Sequence, residues 1–101
     1  MIQRSRFSFL FLLLLVFSVR LPAANDPAWT RAFPPFRIAG NLYYVGSEDL
    51  AAYLITTPQG DVLINSNLES SPEQIRQSVE ALGFHFSDIK ILLISHGHFD
   101  H

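Results

Sequence analysis

His96-Gly97-His98-Phe99-Asp100-His101 stands one residue after the apolar run Ile91-Leu92-Leu93-Ile94. Three of the four histidines of the chain fall in that window, beside a carboxylate. The arrangement reads as a strand that delivers metal ligands into a loop. Zinc in hydrolytic sites takes neutral imidazole and carboxylate donors and keeps one position open for water. His96 and His98, two residues apart, can bind one ion from one side. The side chains of the adjacent Asp100 and His101 can diverge toward a second. Two ions about 3.5–4 Å apart would share a hydroxide and clamp both ends of a scissile bond. Gly97 is expected to let the backbone turn tightly between the histidines, and Phe99 to pack beneath the loop. The bland readings fit less well. A purification tag is a run of histidine without Phe and Asp between, and structural zinc sites are rich in cysteine, of which this chain has none. His85, between Phe84 and Phe86, reads as a surface turn.

Upstream of the apolar run, Ser71-Pro72-Glu73-Gln74 looks like a helix start, with Ser71 as cap, Pro72 at the first position and Gln74 closing a capping box. Ile75, Val79 and Leu82 then form one apolar stripe, and Gly83 suits a left-handed helix end. Residues 42–45, 50–56 and 61–65 are β-rich and separated by the turn clusters Gly46-Ser47-Glu48-Asp49 and Pro58-Gln59-Gly60, which suggests an antiparallel meander. The stretch 90–94 is apolar throughout, as in a strand buried beneath helices. Strands, helix, strand and ligand loop in that order imply an α/β sandwich. Asn25 to Pro35, with Pro27, Pro34, Pro35 and the single Trp29, reads as an extended arm.

Residues 1–24 match a secretory signal peptide: Arg4 and Arg6, the apolar stretch Phe7 to Val19, and small residues at Ala23-Ala24. That core is shorter than the ~20 residues that span a bilayer, so a cleaved signal and a periplasmic location are expected, with no membrane attachment afterwards. An exported chain without cysteine depends on its core or a metal for stability. Residues 25–101 carry all nine acidic residues against Arg31, Arg37, Arg76 and Lys90. That balance gives no electrostatic footprint for nucleic acid. A domain of this size buries only about 60% of its unfolded surface.

A strand followed by His-x-His-x-Asp-His resembles the metallo-β-lactamase superfamily, and the likeness runs from about Phe33 to His101. The motif is shared by glyoxalase II thioesterases, lactonases and B3 metallo-β-lactamases, whereas B1 lactamases carry Arg where this chain has His101. Residues 35–46 (PFRIAGNLYYVG) and 53–60 (YLITTPQG) look most like the amino-terminal region of B3 enzymes. The resemblance implies an αββα metallo-β-lactamase sandwich of which residues 25–101 are the amino-terminal part, inactive alone. It implies two Zn2+ per full domain, His96 and His98 binding the first, Asp100 and His101 the second. Each ion would take one further histidine from later segments. The small-molecule substrate would be a β-lactam, its ring opened by a metal-bound hydroxide that Asp100, the catalytic residue, orients. Antibiotic resistance would follow. The alternatives are a thioesterase or lactonase of the same fold and a non-catalytic periplasmic zinc-binding protein. Many superfamily members place Asp where this chain has Asn65, and the change removes a charge next to the ligand loop. Trp29 and the Pro-rich arm would line one edge of the substrate groove, or simply anchor the arm to the surface. Oligomeric state and preference among β-lactams are not legible.

Overall fold

The computed structural model describes residues 25–101; the signal-peptide reading lies outside them. Five strands form one sheet in the order of the chain: β1 (Phe36–Ala39), β2 (Leu42–Tyr44), β3 (Tyr53–Ile55), β4 (Asp61–Ile64) and β5 (Ile89–Leu93). The first four pair antiparallel, and β5 joins β4 in parallel. The one helix of several turns among the described residues, α1 (Ser71–Ala81), lies between β4 and β5 in sequence. A parallel pair needs such a crossover, because a tight turn cannot reverse the chain twice. The meander read from the turn signals is present, with Phe36–Ala39 as an added first strand.

The register explains where the core sits. Tyr43 pairs with Leu54, Leu54 with Leu63, and Leu63 with Leu92, so these side chains share one face. Leu54 and Leu63 are buried there with Val45, Ala52 and the helix residues Ile75 and Val79. Tyr43 closes one side of this cluster, edge-on to Phe84 with ring centroids 4.9 Å apart. Full burial of one such aliphatic side chain contributes about 1.5–3 kcal/mol, so the helix is held chiefly by Ile75 and Val79.

The helix ends as its sequence implies. Gly83 has φ +89°, its N–H reaches the Glu80 carbonyl at 2.9 Å, and the Phe84 N–H reaches Val79 at 3.2 Å. These two bonds are the Schellman pattern. Gly83→Ala has open space for its methyl group but meets the left-handed backbone penalty. It is expected to lower stability by about 1 kcal/mol, read as a shifted urea midpoint at unchanged slope.

Three expectations fail. The capping box does not form: Ser70 is the N-cap and offers no side-chain bond. Ser71 Oγ instead accepts the Leu68 N–H at 3.1 Å, and Gln74 Nε2 donates to the Thr30 carbonyl at 3.0 Å. Hydroxyl side chains choose between cap and local turn, and here the turn wins. Second, residues 25–35 are not simply extended. Pro27–Trp29 is a 3-10 turn opened by Asp26, whose carboxylate accepts the Ala28 N–H at 2.9 Å. Arg31 pairs with Glu48 at 3.0 Å, and the Glu48 N–H bonds back to the Arg31 carbonyl at 2.9 Å, which ties the arm to the loop after β2. Third, Ile91, Leu92, Leu93 and Ile94 are each about half exposed rather than buried, at 51%, 50%, 50% and 48%. Among the described residues β5 is the last strand of the sheet, and the core that α1 covers is centred on β3 and β4. Among the described residues no helix is long and apolar enough to cross a membrane.

Candidate metal centre

Two adjacent strand ends build the site. Beyond β4 the chain turns through Asn65 (φ 66°) and Asn67 (φ 59°), both left-handed and both buried. Asn is among the few side chains that tolerate this conformation. Beyond β5 runs the loop Ser95–His101. The Asn65 N–H donates to the Leu93 carbonyl at 2.8 Å, and Asn65 Oδ1 accepts the Ser95 N–H at 2.9 Å. The N–H groups of Ser66 and Asn67 both donate to the His101 carbonyl, each at 2.8 Å. One tripeptide therefore fastens the loop at both ends. Asn65 acts on the loop backbone here, a role in which a neutral amide serves as well as a carboxylate.

Within the fastened loop the His96 ring adjoins both others, 4.4 Å from His98 and 3.8 Å from His101 between centroids. His96 Nδ1 accepts the His98 N–H at 3.3 Å, which leaves Nε2 for another partner. The His101 N–H donates to the His98 carbonyl at 3.2 Å and closes the turn. Asp100 and His101 are largely enclosed, their side chains 20% and 25% exposed, with Asp100 Oδ1 3.6 Å from His101 Nε2. Nδ1 of His101 is buried and has no hydrogen-bond partner among the described residues. His85 is exposed and only opens a short 3-10 turn at Phe86–Asp88.

Phe99 does not pack beneath the loop. It is 72% exposed and meets Trp29 edge-to-face at 6.2 Å, because a loop fastened by its backbone leaves this side chain outside. Gly97 does not take a left-handed φ, so the turn between the histidines does not depend on that freedom. Sequence reasoning missed Ser66 and Asn67. The available signal was Asn65-x-Asn67 straight after a strand, a spacing that suits left-handed turns.

The donor set fits zinc in kind: imidazoles and a carboxylate, with one ring nitrogen buried and unpartnered. It does not fit in number. Among the described residues no group of three or more His, Cys, Asp or Glu is arranged to hold an ion, whereas catalytic zinc takes three protein ligands.

No protein-family model matches the chain. Solved structures do. The native FEZ-1 metallo-β-lactamase from Legionella gormanii is 68% identical over 70% of this chain and 27% of its own, with a TM-score of 0.69. The metallo-β-lactamase GOB-18 from Elizabethkingia meningoseptica is 49% identical over 82% of this chain and 31% of its own, TM-score 0.76. The class B3 di-zinc metallo-β-lactamase LRA-12 from an Alaskan soil metagenome matches at 49% identity over the same shares, TM-score 0.75. This chain spans less than a third of the length of each. Identity this high leaves no room for a coincidental likeness of sheet and helix alone. In sequence and in fold, the described stretch is like the amino-terminal part of a B3 metallo-β-lactamase.

Proposed function

We propose that the full-length protein is an exported zinc-dependent hydrolase that opens β-lactam rings and so confers antibiotic resistance. The carrying observation is the loop Ser95–His101, which gathers three imidazoles and one carboxylate at the end of β5 and is fastened there by Asn65, Ser66 and Asn67. His96 and His98 would hold one Zn2+, and Asp100 and His101 a second, each with a further ligand from outside residues 25–101. Bound zinc would supply Lewis acidity and a water that ionises near neutral pH. This chain's residues orient those donors: the fastened backbone sets their spacing, and the largely enclosed Asp100 side chain lies beside His101. The amino-terminal pattern of residues 1–24 supports delivery to the periplasm.

The test uses the full-length protein against a penicillin, a carbapenem, a lactone and a glutathione thioester, with and without chelator. Chelator-sensitive turnover of a β-lactam, with little on the other two, is expected. Preference for the lactone or thioester would make it a different hydrolase of the same fold. Zinc binding without any turnover would make it a binding protein. Residues 25–101 alone provide at most two ligands per ion in this assignment and are expected to give no zinc-dependent turnover.

A further inference from the structure

The backbone around Trp29 is held on both sides. The Ala28 carbonyl accepts the Asp49 N–H at 3.1 Å, and the Thr30 carbonyl accepts Gln74 Nε2 at 3.0 Å. Beyond them Arg31 is tied to Glu48 by side chain and by carbonyl, and Ala32 pairs with Ser47 in an antiparallel bridge. None of these bonds uses the indole, so docking of the arm does not require it. The indole instead meets Phe99 edge-on, with ring centroids 6.2 Å apart. Phe99 and Asp100 are the two middle residues of a turn that the His101 N–H closes on the His98 carbonyl at 3.2 Å. The bonds from Asn65, Ser66 and Asn67 reach this loop at Ser95 and His101, its two ends. A ring 72% exposed, as Phe99 is, gains little from burial. Its position therefore depends on a partner whose own ordering entropy is already lost. Trp29 is such a partner.

We propose that residues 27–32 are a strap for the loop Ser95–His101. Trp29, clamped by Asp49 and Gln74, is a positioning residue that holds Phe99, and with it the turn His98–His101, in place. Strap and loop share one support. The turn that carries Glu48 and Asp49 also presents the Leu50 carbonyl, which accepts Asn67 Nδ2 at 3.1 Å, and the Asn67 N–H reaches the His101 carbonyl at 2.8 Å. The loop is thus pinned at its end through Asn67 and at its middle through Trp29. Loosening the arm should act on the turn His98–His101 before it acts on the core, because Leu54, Leu63, Ile75 and Val79 belong to a separate cluster. Trp29 as a wall of the substrate groove would respond differently, with weaker substrate binding and an unchanged loop. The effect of the strap on turnover rests on the hydrolase reading; its effect on loop order does not.

Amide hydrogen exchange of the full-length protein, followed by NMR, tests this directly. In Trp29→Ala the His101 amide is expected to exchange about 3–10-fold faster, as loss of one aromatic pair implies. Amides of β3 and β4 should keep their protection, and Trp29→Phe should restore most of it at His101. Gln74→Ala, a change at an exposed amide, should give a smaller rise of about 2–3-fold at His101. Gln77→Ala, whose amide bonds to Glu73 within the helix, should give none. Nuclear Overhauser contacts between the Trp29 and Phe99 rings are expected in the unmodified protein; their absence overturns the proposal and needs no variant to fold. So does a Trp29→Ala protein whose His101 amide exchanges at the original rate. In kinetics on a β-lactam, Trp29→Ala should lower kcat about 3–10-fold at near-constant KM. A raised KM alone would make Trp29 a substrate contact and overturn the strap. Absence of turnover in the unmodified protein would sink the hydrolase reading, while the exchange result would still decide the strap.

Discussion

Asp100→Ala in the full-length protein is expected to cut kcat/KM for a penicillin by about a thousandfold or more, which corresponds to roughly 4 kcal/mol of lost transition-state stabilisation. Asp100 is the only carboxylate in the loop Ser95–His101. Its side chain is 20% exposed and lies 3.6 Å from His101 Nε2. In that partly enclosed setting a negative charge interacts more strongly than at the open surface. The same carboxylate makes no hydrogen bond to another described residue, so removing it leaves Asn65, Ser66 and Asn67 fastened to the loop as before. Folding should therefore survive while hydrolysis does not. Asp100→Asn keeps the shape and removes the charge, and it separates the two roles: a loss nearly as large as with Ala assigns the effect to charge. Removing one imidazole, as in His98→Ala, leaves the charge in place and should cost less. Steady-state kinetics beside circular dichroism spectra suffice, and Asp100→Ala turnover equal to that of the unmodified protein would refute the assigned role.

What could be read in advance divides by the range of the interaction. The strands at 42–44, 53–55 and 61–64, the stripe Ile75–Val79 and the helix stop at Gly83 follow from periodicity and local turn chemistry. Each is decided within a few residues. The fastening of the ligand loop is not. Asn65 Oδ1 accepts the Ser95 N–H and the Asn67 N–H donates to the His101 carbonyl, thirty or more residues away, from a backbone that is left-handed at both asparagines. The arm shows the same limit, since Arg31 with Glu48 and Thr30 with Gln74 are pairings between distant residues. An apolar run such as 91–94 reports that both strand faces are greasy, and says nothing of what covers them. The candidate ligand residues could be proposed from the sequence because zinc chemistry restricts donor types so narrowly. Their arrangement was not, as the contact between His96 and His101 depends on how the loop is pinned.

Gly46→Ala is expected to cost about 3 kcal/mol, near the upper end for forcing an added carbon into a packed site. A Cβ on residue 46 would run into the Leu50 carbonyl oxygen, and would stand 2.7 Å from Ala52 N and 2.9 Å from Tyr44 Oη. Two of these atoms are backbone, so no side-chain rotation relieves the clash. The turn has little slack. The Val45 N–H donates to Ala52 at 2.9 Å, the Ser47 N–H to Leu50 at 3.0 Å, and Ser47 Oγ accepts the Leu50 N–H at 3.1 Å. Tyr44 Oη donates to the Ser47 carbonyl at 2.5 Å; burial, with smaller contributions from Tyr53 and Asp49, pushes this phenol up and keeps it a donor. The consequence reaches the loop Ser95–His101, because the displaced Leu50 carbonyl is the one that Asn67 Nδ2 holds. A midpoint drop of about 10 °C or more is therefore expected, with faster hydrogen exchange at the Ser66 and Asn67 amides. Gly83→Ala supplies the contrast, since its methyl group meets open space and disturbs only its own backbone. A Gly46→Ala midpoint no lower than that of Gly83→Ala, with exchange at Ser66 and Asn67 unchanged, would show that the turn after β2 does not brace the ligand loop.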